Sequence, residues 1–176
     1  MADITCKSQT LASIDGYCDK ASGGIKRVLI ANFSDVTSKT LDENDNVITA
    51  IAKAPNSKFA EWRFRRETGS LTSTTSSTGG NQNTSSEATL VFTKMEAQKR
   101  LEIQTAINAD AVMIVEDNNG NYWYMGYDYP VEIASTVATT GTALADNNNY
   151  TLTVNDVSFE MLHSVDPTII AGLLTA

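Results

Sequence analysis

Basic residues are scarce in this 176-residue chain, where 13 Lys and Arg stand against 21 Asp and Glu for a formal net charge of -8. Wrapping nucleic acid needs a basic surface, so that role is disfavoured; an acidic surface beside DNA would repel the polymer and let it slide. Histidine is scarcer still. His163 stands alone, and without any CxxC or HxxxH spacing a tetrahedral zinc site lacks ligands. The two cysteines, Cys6 and Cys18, fit free thiols better than a staple. No apolar run approaches the roughly 18 residues of a membrane span. The opening MADITCKSQT lacks the basic-then-apolar order of a signal peptide, so a cytoplasmic product is expected unless an assembly carries it out. A hydrophobic fraction of 41% and mean hydropathy of -0.20 suit a single domain with a real core.

Catalytic motifs are also missing. There is no GxSxG elbow to pair with His163, and no GxGxxG or Walker loop, Gly23-Gly24 and Gly79-Gly80 reading as turn glycines. The acidic run Asp42-Glu43-Asn44-Asp45-Asn46 half resembles a calcium loop, but Val47 stands at the Gly position and Lys53 at that of the closing Glu, so a solvated turn is expected. Asp117-Asn118-Asn119-Gly120 reads as a hairpin turn, not a cation site. No enzyme activity, metal or cofactor is expected.

What is present is strand. GIKRVLIANF (24–33), Val47 to Ile51, EATLVFT (87–93), AVMIVE (111–116) and YWYMGY (122–127) are β-branched or aromatic runs bounded by turn residues. KFAEWRFRRET (58–68) alternates, with Trp62 and Phe64 on one face and Arg63 and Arg65 on the other. Asn119-Gly120 predicts a hairpin between 111–116 and 122–127, and YTLTV (150–154) with SFEMLH (158–163) predicts a second across Asn155-Asp156. KMEAQKRLEIQTAIN (94–108) has good helix formers and a rough apolar face of Leu101, Ile103, Ala106 and Ile107, Asn108 ending it. Asp166-Pro167 opens a short C-terminal helix. The aromatic cluster Tyr122, Trp123, Tyr124, Tyr127 and Tyr129 divides between core and subunit interface, since alternation turns half of it inward. The pattern predicts a mainly β chain: a single domain over 1–176, a β-sandwich or barrel of about seven or eight strands with one flanking helix, an N-terminal extension 1–23 and a C-terminal tail 164–176.

Taken as a set, SGGIKRVLIANFSDV, FAEWRFRRETGSLTS leading to EATLVFTKMEAQKRLEIQ, VEDNNGNYWYMGYDYPVE and TGTALADNNNYTLTV resemble the tail tube proteins of tailed bacteriophages, over roughly Gly23 to Val165. Where that family's pattern has Asn-Gly-Tyr, this chain has Asn148-Asn149-Tyr150, Asn being the next best residue for positive φ. The resemblance implies a virion protein that assembles six to a ring, rings stacking with other tail proteins into a conduit through which DNA passes unbound. It further implies a hairpin arm reaching a neighbour. The candidate runs over about 62–92, with GSLTSTTSSTGGNQNTSS at or near its tip, so the Ser/Thr stretch reads as an assembly arm instead of a flexible linker. Its expected contact residues are Arg63, Arg65, Arg66, Leu71, Thr72, Thr74, Thr75, Thr78, Asn81 and Asn83. The arginines are expected to pair with a neighbour's carboxylates and to leave the lumen acidic. The competing readings are a capsid-decorating or head-to-tail connector protein, also β-rich with arms, and a carbohydrate-binding β-sandwich served by the aromatic strand.

Overall fold

A computed structural model of the chain describes residues 14, 21–42 and 47–175, and the account below concerns these. Cys6, Cys18, positions 43–46 of the acidic run and most of the N-terminal extension lie outside them.

The mainly β expectation holds: the described residues form eleven strands in two sheets, with two short helices. The larger sheet has the order β2 (Val36–Leu41), β3 (Val47–Lys53), β11 (His163–Val165), β8 (Tyr122–Met125), β7 (Ala111–Asp117), β1 (Ile25–Asn32), β4 (Ala60–Arg63). The smaller has the order β5 (Ser70–Thr78), β6 (Asn81–Thr93), β10 (Asn149–Ser158), β9 (Glu132–Thr139). All pairings are antiparallel except β11 with β3.

Two cores follow from the alternation of the central strands. Val28 and Ile30 of β1, with Met113 and Val115 of β7, face Leu90 and Phe92 of β6 and Leu152 and Val154 of β10. The alternate residues Leu29, Val112 and Ile114 face the other way, into a second core with Ile48, Phe59, Tyr124 and Val165. The larger sheet is thus covered on both faces, which is why AVMIVE is an unbroken apolar run before its Glu. The Asp166 start signal behaves as expected. Its carboxylate accepts the Thr168 N–H at 2.8 Å, a 3-10 turn over Pro167–Ile169 follows, and α2 (Ile170–Leu173) buries Ile170 and Leu173 in the second core. No helix among the described residues is long and apolar enough to cross a membrane.

Several local expectations are corrected. The alternating strand at 58–68 is only β4, because the chain leaves the sheet after Arg63 and turns through Glu67 at φ 62. Asn155-Asp156 is no turn: β10 runs straight through it, and His163 belongs to the other sheet. Residues 132–139, for which the sequence pattern gave no strand, form β9 (Glu132–Thr139). The long helix, α1 (Ala97–Asn108), starts three residues late because Lys94 has φ 66 and its N–H, with that of Met95, is held by Asn148. Ile103 and Ala106 enter the inter-sheet core while Leu101 and Ile107 are exposed, so the apolar face is half as wide as read. Asn148 and Asn149 do not take positive φ; Asn148 serves as that acceptor instead. The expected β7–β8 hairpin stands: Asp117 and Asn121 are paired and only Gly120 is left-handed, a three-residue loop with a glycine bulge.

Candidate assembly surface

The Ser/Thr stretch is ordered as β-hairpin throughout. Thr78 pairs with Asn81 across Gly79 and Gly80, whose φ of 63° and 85° make the two-residue turn matched to the sheet's twist. The register continues to Ser70 opposite Thr89. On its other side β6 pairs with β10, and that pairing stops at Thr84 opposite Ser158. Ser76 to Asn83 therefore project beyond the four-stranded sheet by three residue pairs, about 10 Å.

Alternation sorts the expected contact residues. Thr72, Thr74, Thr78, Asn81 and Asn83 lie on the hairpin face turned away from the core, all exposed. Leu71 and Thr75 lie on the inward face. Leu71 packs against the inter-sheet core, and Thr75 shares a 2.9 Å hydroxyl hydrogen bond with the fully buried Thr84. One rung inward, buried Ser86 donates to Ser73 at 2.9 Å. These pairings let hydroxyls occupy the inside of a sheet at little cost, because a buried polar group is expensive only when unpaired. Outside, the face formed by Thr72, Thr74, Ser85, Glu87, Thr153, Asn155 and Ser135 is polar, interrupted by the exposed Val137 and Val157. No Lys or Arg occurs in any strand of this sheet.

Five basic residues, Lys26, Arg27, Lys39, Lys53 and Arg63, lie on strands of the larger sheet. Arg27 stands opposite Glu116 on β7 and, on its other side, opposite Arg63 on β4. Its guanidinium bonds Glu116 and Glu61 and donates to the Tyr122 hydroxyl at 3.1 Å; Lys26 adds a second cation on Glu116 at 2.9 Å. Burial alone would depress the Arg27 pKa, but the hydrogen bonds to Glu61, Glu116 and Tyr122 outweigh it and hold the group charged well above its ordinary range. Burial likewise pushes the Glu116 carboxyl up, and the bonds from Lys26 and Arg27 reverse this to hold it below its usual value. Of the three expected contact arginines, Arg63 pairs with Glu61 at 3.1 Å in its own protomer, whereas Arg65 and Arg66 lie exposed on the loop after β4, their guanidiniums unpaired among the described residues.

A feature the sequence reading passed over is a cleft of about 440 Å³ where β8, β10 and β11 meet. Tyr124, Asp128, Asp156, Glu160 and His163 line it, and the His163 ring packs on Tyr127 at 4.5 Å between centroids. The Tyr124 hydroxyl and Asp156 Oδ1 are buried without a hydrogen-bond partner among the described residues. Burial raises the pKa of both, the Tyr127 hydroxyl adding to the effect on Tyr124 and the Asp128 charge to that on Asp156. The described residues hold no group of three or more His, Cys, Asp or Glu placed to bind a metal ion. One signal was present in sequence: the inward residues of β10 run Tyr150, Leu152, Val154, Asp156, Ser158, so an acid continues an apolar period.

No family model, curated protein or solved structure matches the chain.

Proposed function

We propose that this chain is a non-enzymatic virion protein, the subunit of a bacteriophage tail tube whose stacked rings conduct DNA. The observation that carries the reading is the four-stranded sheet, a broad Ser/Thr surface with Glu87 and Glu132 and without one Lys or Arg. Facing a lumen, such a surface offers no cation to neutralise a phosphate, whereas a few basic side chains there would together give salt-dependent binding strong enough to hinder transit. The overhanging turn of β5–β6 extends from the end of this same sheet, where it can add to a neighbour's, and the nine-residue outer edge of β5 has no charged side chain to oppose strand addition.

Negative-stain microscopy of the purified protein tests the reading, with rings or tubes expected and their fraction rising with concentration. A strictly monomeric protein at high concentration overturns it. The arm is tested by removing Ser77, Thr78, Asn81 and Gln82. Two complete pairs leave, so the alternation of hydrogen-bonded and non-hydrogen-bonded pairs keeps its phase and Ser76-Gly79-Gly80-Asn83 closes the same turn, about 7 Å shorter. The variant is expected to keep the wild-type circular dichroism and to lose assembly; unimpaired assembly removes the arm from the account.

A further inference from the structure

We propose that the cleft between β8, β10 and β11 is a socket for the Arg65–Arg66 loop of a second copy of this chain. The inference rests on the self-assembly proposed above and names the contact that would drive it.

The cleft asks for a cation that carries several hydrogen-bond donors. Asp128, Asp156 and Glu160 contribute three carboxylates to its wall. Asp156 is 2% exposed, and one of its oxygens, like the fully buried Tyr124 hydroxyl, meets no partner among the described residues. Those two atoms are closed to solvent and add only polarity behind the wall, while the exposed carboxylates of Asp128 and Glu160 are the acceptors an occupant can reach. Lys39 is the cation at hand, but its ammonium is committed. It donates to the Tyr127 carbonyl at 2.7 Å and sits 4.3 Å from the centre of the Tyr127 ring, so it offsets one carboxylate at most. The His163 Nε2 lies 3.6 Å from Glu160 Oε2. A planar guanidinium, with five donors in a rigid fork, matches a wall of several carboxylates better than an ammonium. The mouth indicates that the guanidinium arrives on a protein: Phe159 and Met161 stand at it 64% and 63% exposed, an apolar rim that a docking surface would cover.

The same molecule supplies the complement. Arg65 and Arg66 are its only adjacent pair of arginines, they are exposed, and neither has a partner within the described protomer. Their loop abuts Ile25 through Gly69, at the Asp117 end of β7, whereas the cleft begins at Tyr124, which pairs with Ile114. Socket and plug are therefore different patches on one protomer. Contacts of that kind are heterologous and build rings or filaments instead of closed pairs. In a chain of net charge -8, one specific acid–base contact also gives direction to an association that general repulsion would otherwise oppose.

Sedimentation velocity across a concentration series, with circular dichroism as the folding control, tests the contact. Arg65→Glu/Arg66→Glu and Glu160→Arg should each weaken association at least tenfold, while Arg100→Glu, which reverses another unpaired exposed guanidinium, should not. Mixing the first two variants should restore association, since the reversed loop of one then meets the reversed socket of the other. Wild-type association that survives both reversals, or that mixing fails to recover, overturns the socket and leaves the tube reading standing. A wild type that stays monomeric overturns the tube reading. The socket is then decided by titrating a peptide of residues 62–69 into the monomer and following the His163 ring by NMR, where a saturable shift upholds it and no shift rejects it.

Discussion

Glu116→Gln removes the charge at the centre of the larger sheet's ion-pair cluster. The carboxylate sits on the central strand β7 with 4% of its side chain exposed, and binds Lys26 and Arg27. Gln keeps the shape and one acceptor oxygen but loses the charge, leaving the Arg27 guanidinium, 18% exposed and directly opposite Arg63, with Glu61 as its one carboxylate among the described residues. Removing one partner of a buried pair costs about 3–5 kcal/mol. The surviving Glu61 contact and the partial exposure of Arg27 reduce this to about 2–3 kcal/mol, and at about 2–4 °C per kcal/mol for a chain of this size the midpoint should fall by about 4–12 °C. The sign of the pH dependence follows from the depressed Glu116 pKa. Its contribution is complete above the ordinary value of 4.5 and fades as pH falls through the lower folded value, so wild type and variant should converge in strong acid. Urea unfolding at pH 7 and pH 3, at one low protein concentration so that assembly does not contribute, reads both quantities. A loss below about 1 kcal/mol at pH 7, or one undiminished at pH 3, would refute the reasoning, the exposed-pair value being the alternative.

Three further outcomes are expected. Replacing Gly79 and Gly80 by Ala meets no atom within 4 Å, so its cost is purely conformational, about 1–2 kcal/mol per residue from positive φ, visible as a lower melting temperature and weaker assembly. At Gly69 an added Cβ would lie 2.7 Å from Ile25 Cγ1 and 2.8 Å from Phe64 Cε2, an overpacking that should cost about 1–3 kcal/mol in urea unfolding and shift the adjoining arginine loop. Asp156→Asn keeps an acceptor for the Gly126 N–H and removes a charge that burial disfavours. Because the folded Asp156 pKa is raised, the wild type is penalised above that value and relieved below it, so the variant should melt higher at pH 8 with its advantage vanishing in acid. A destabilised Asp156→Asn at pH 8 would show that the charge is held by a partner in the free protomer.

The parts of the fold legible in sequence were those whose burial is written in apolar residues. β1, β7 and β8 announce themselves through Val, Ile, Leu and Tyr, and the β7–β8 hairpin through its Asn-Gly. Strands that bury hydroxyls gave no such signal. Thr84 and Ser86 are completely covered, yet a run of Thr and Ser has no contrast between its faces, and only the register against β5 and β10 shows which side is inside. β9 was invisible for a related reason, since Ile133 alone among its residues packs on the core. Asn155-Asp156 misled in the opposite direction: turn formers by local preference, they are held extended by neighbours on both sides, tertiary context overriding propensity. The cleft was hidden because Tyr124, Asp128, Asp156 and His163 are contiguous only after two sheets have closed on each other, and no spacing along the chain anticipates that.

The change of lining along β6 and β10 also bears on motion. Between Phe92 and Ala88 the inward side chains are apolar, but from Ser86 to Thr84 the sheet is closed by hydroxyl pairs, with Asp156 and Ser158 opposite. Opening the apolar end exposes oil to water, whereas opening the hydroxyl end exchanges hydrogen bonds between side chains for hydrogen bonds to water. The free energy of local opening should therefore fall steeply from Leu90 toward Asn83, making the projecting end a flap that can lift and reseat while the rest of the sandwich stays shut. Amide hydrogen exchange would trace this as a gradient along a single strand, slow at Leu90 and fast at Thr84 in the free protomer, flattening once a neighbouring subunit clamps the flap down.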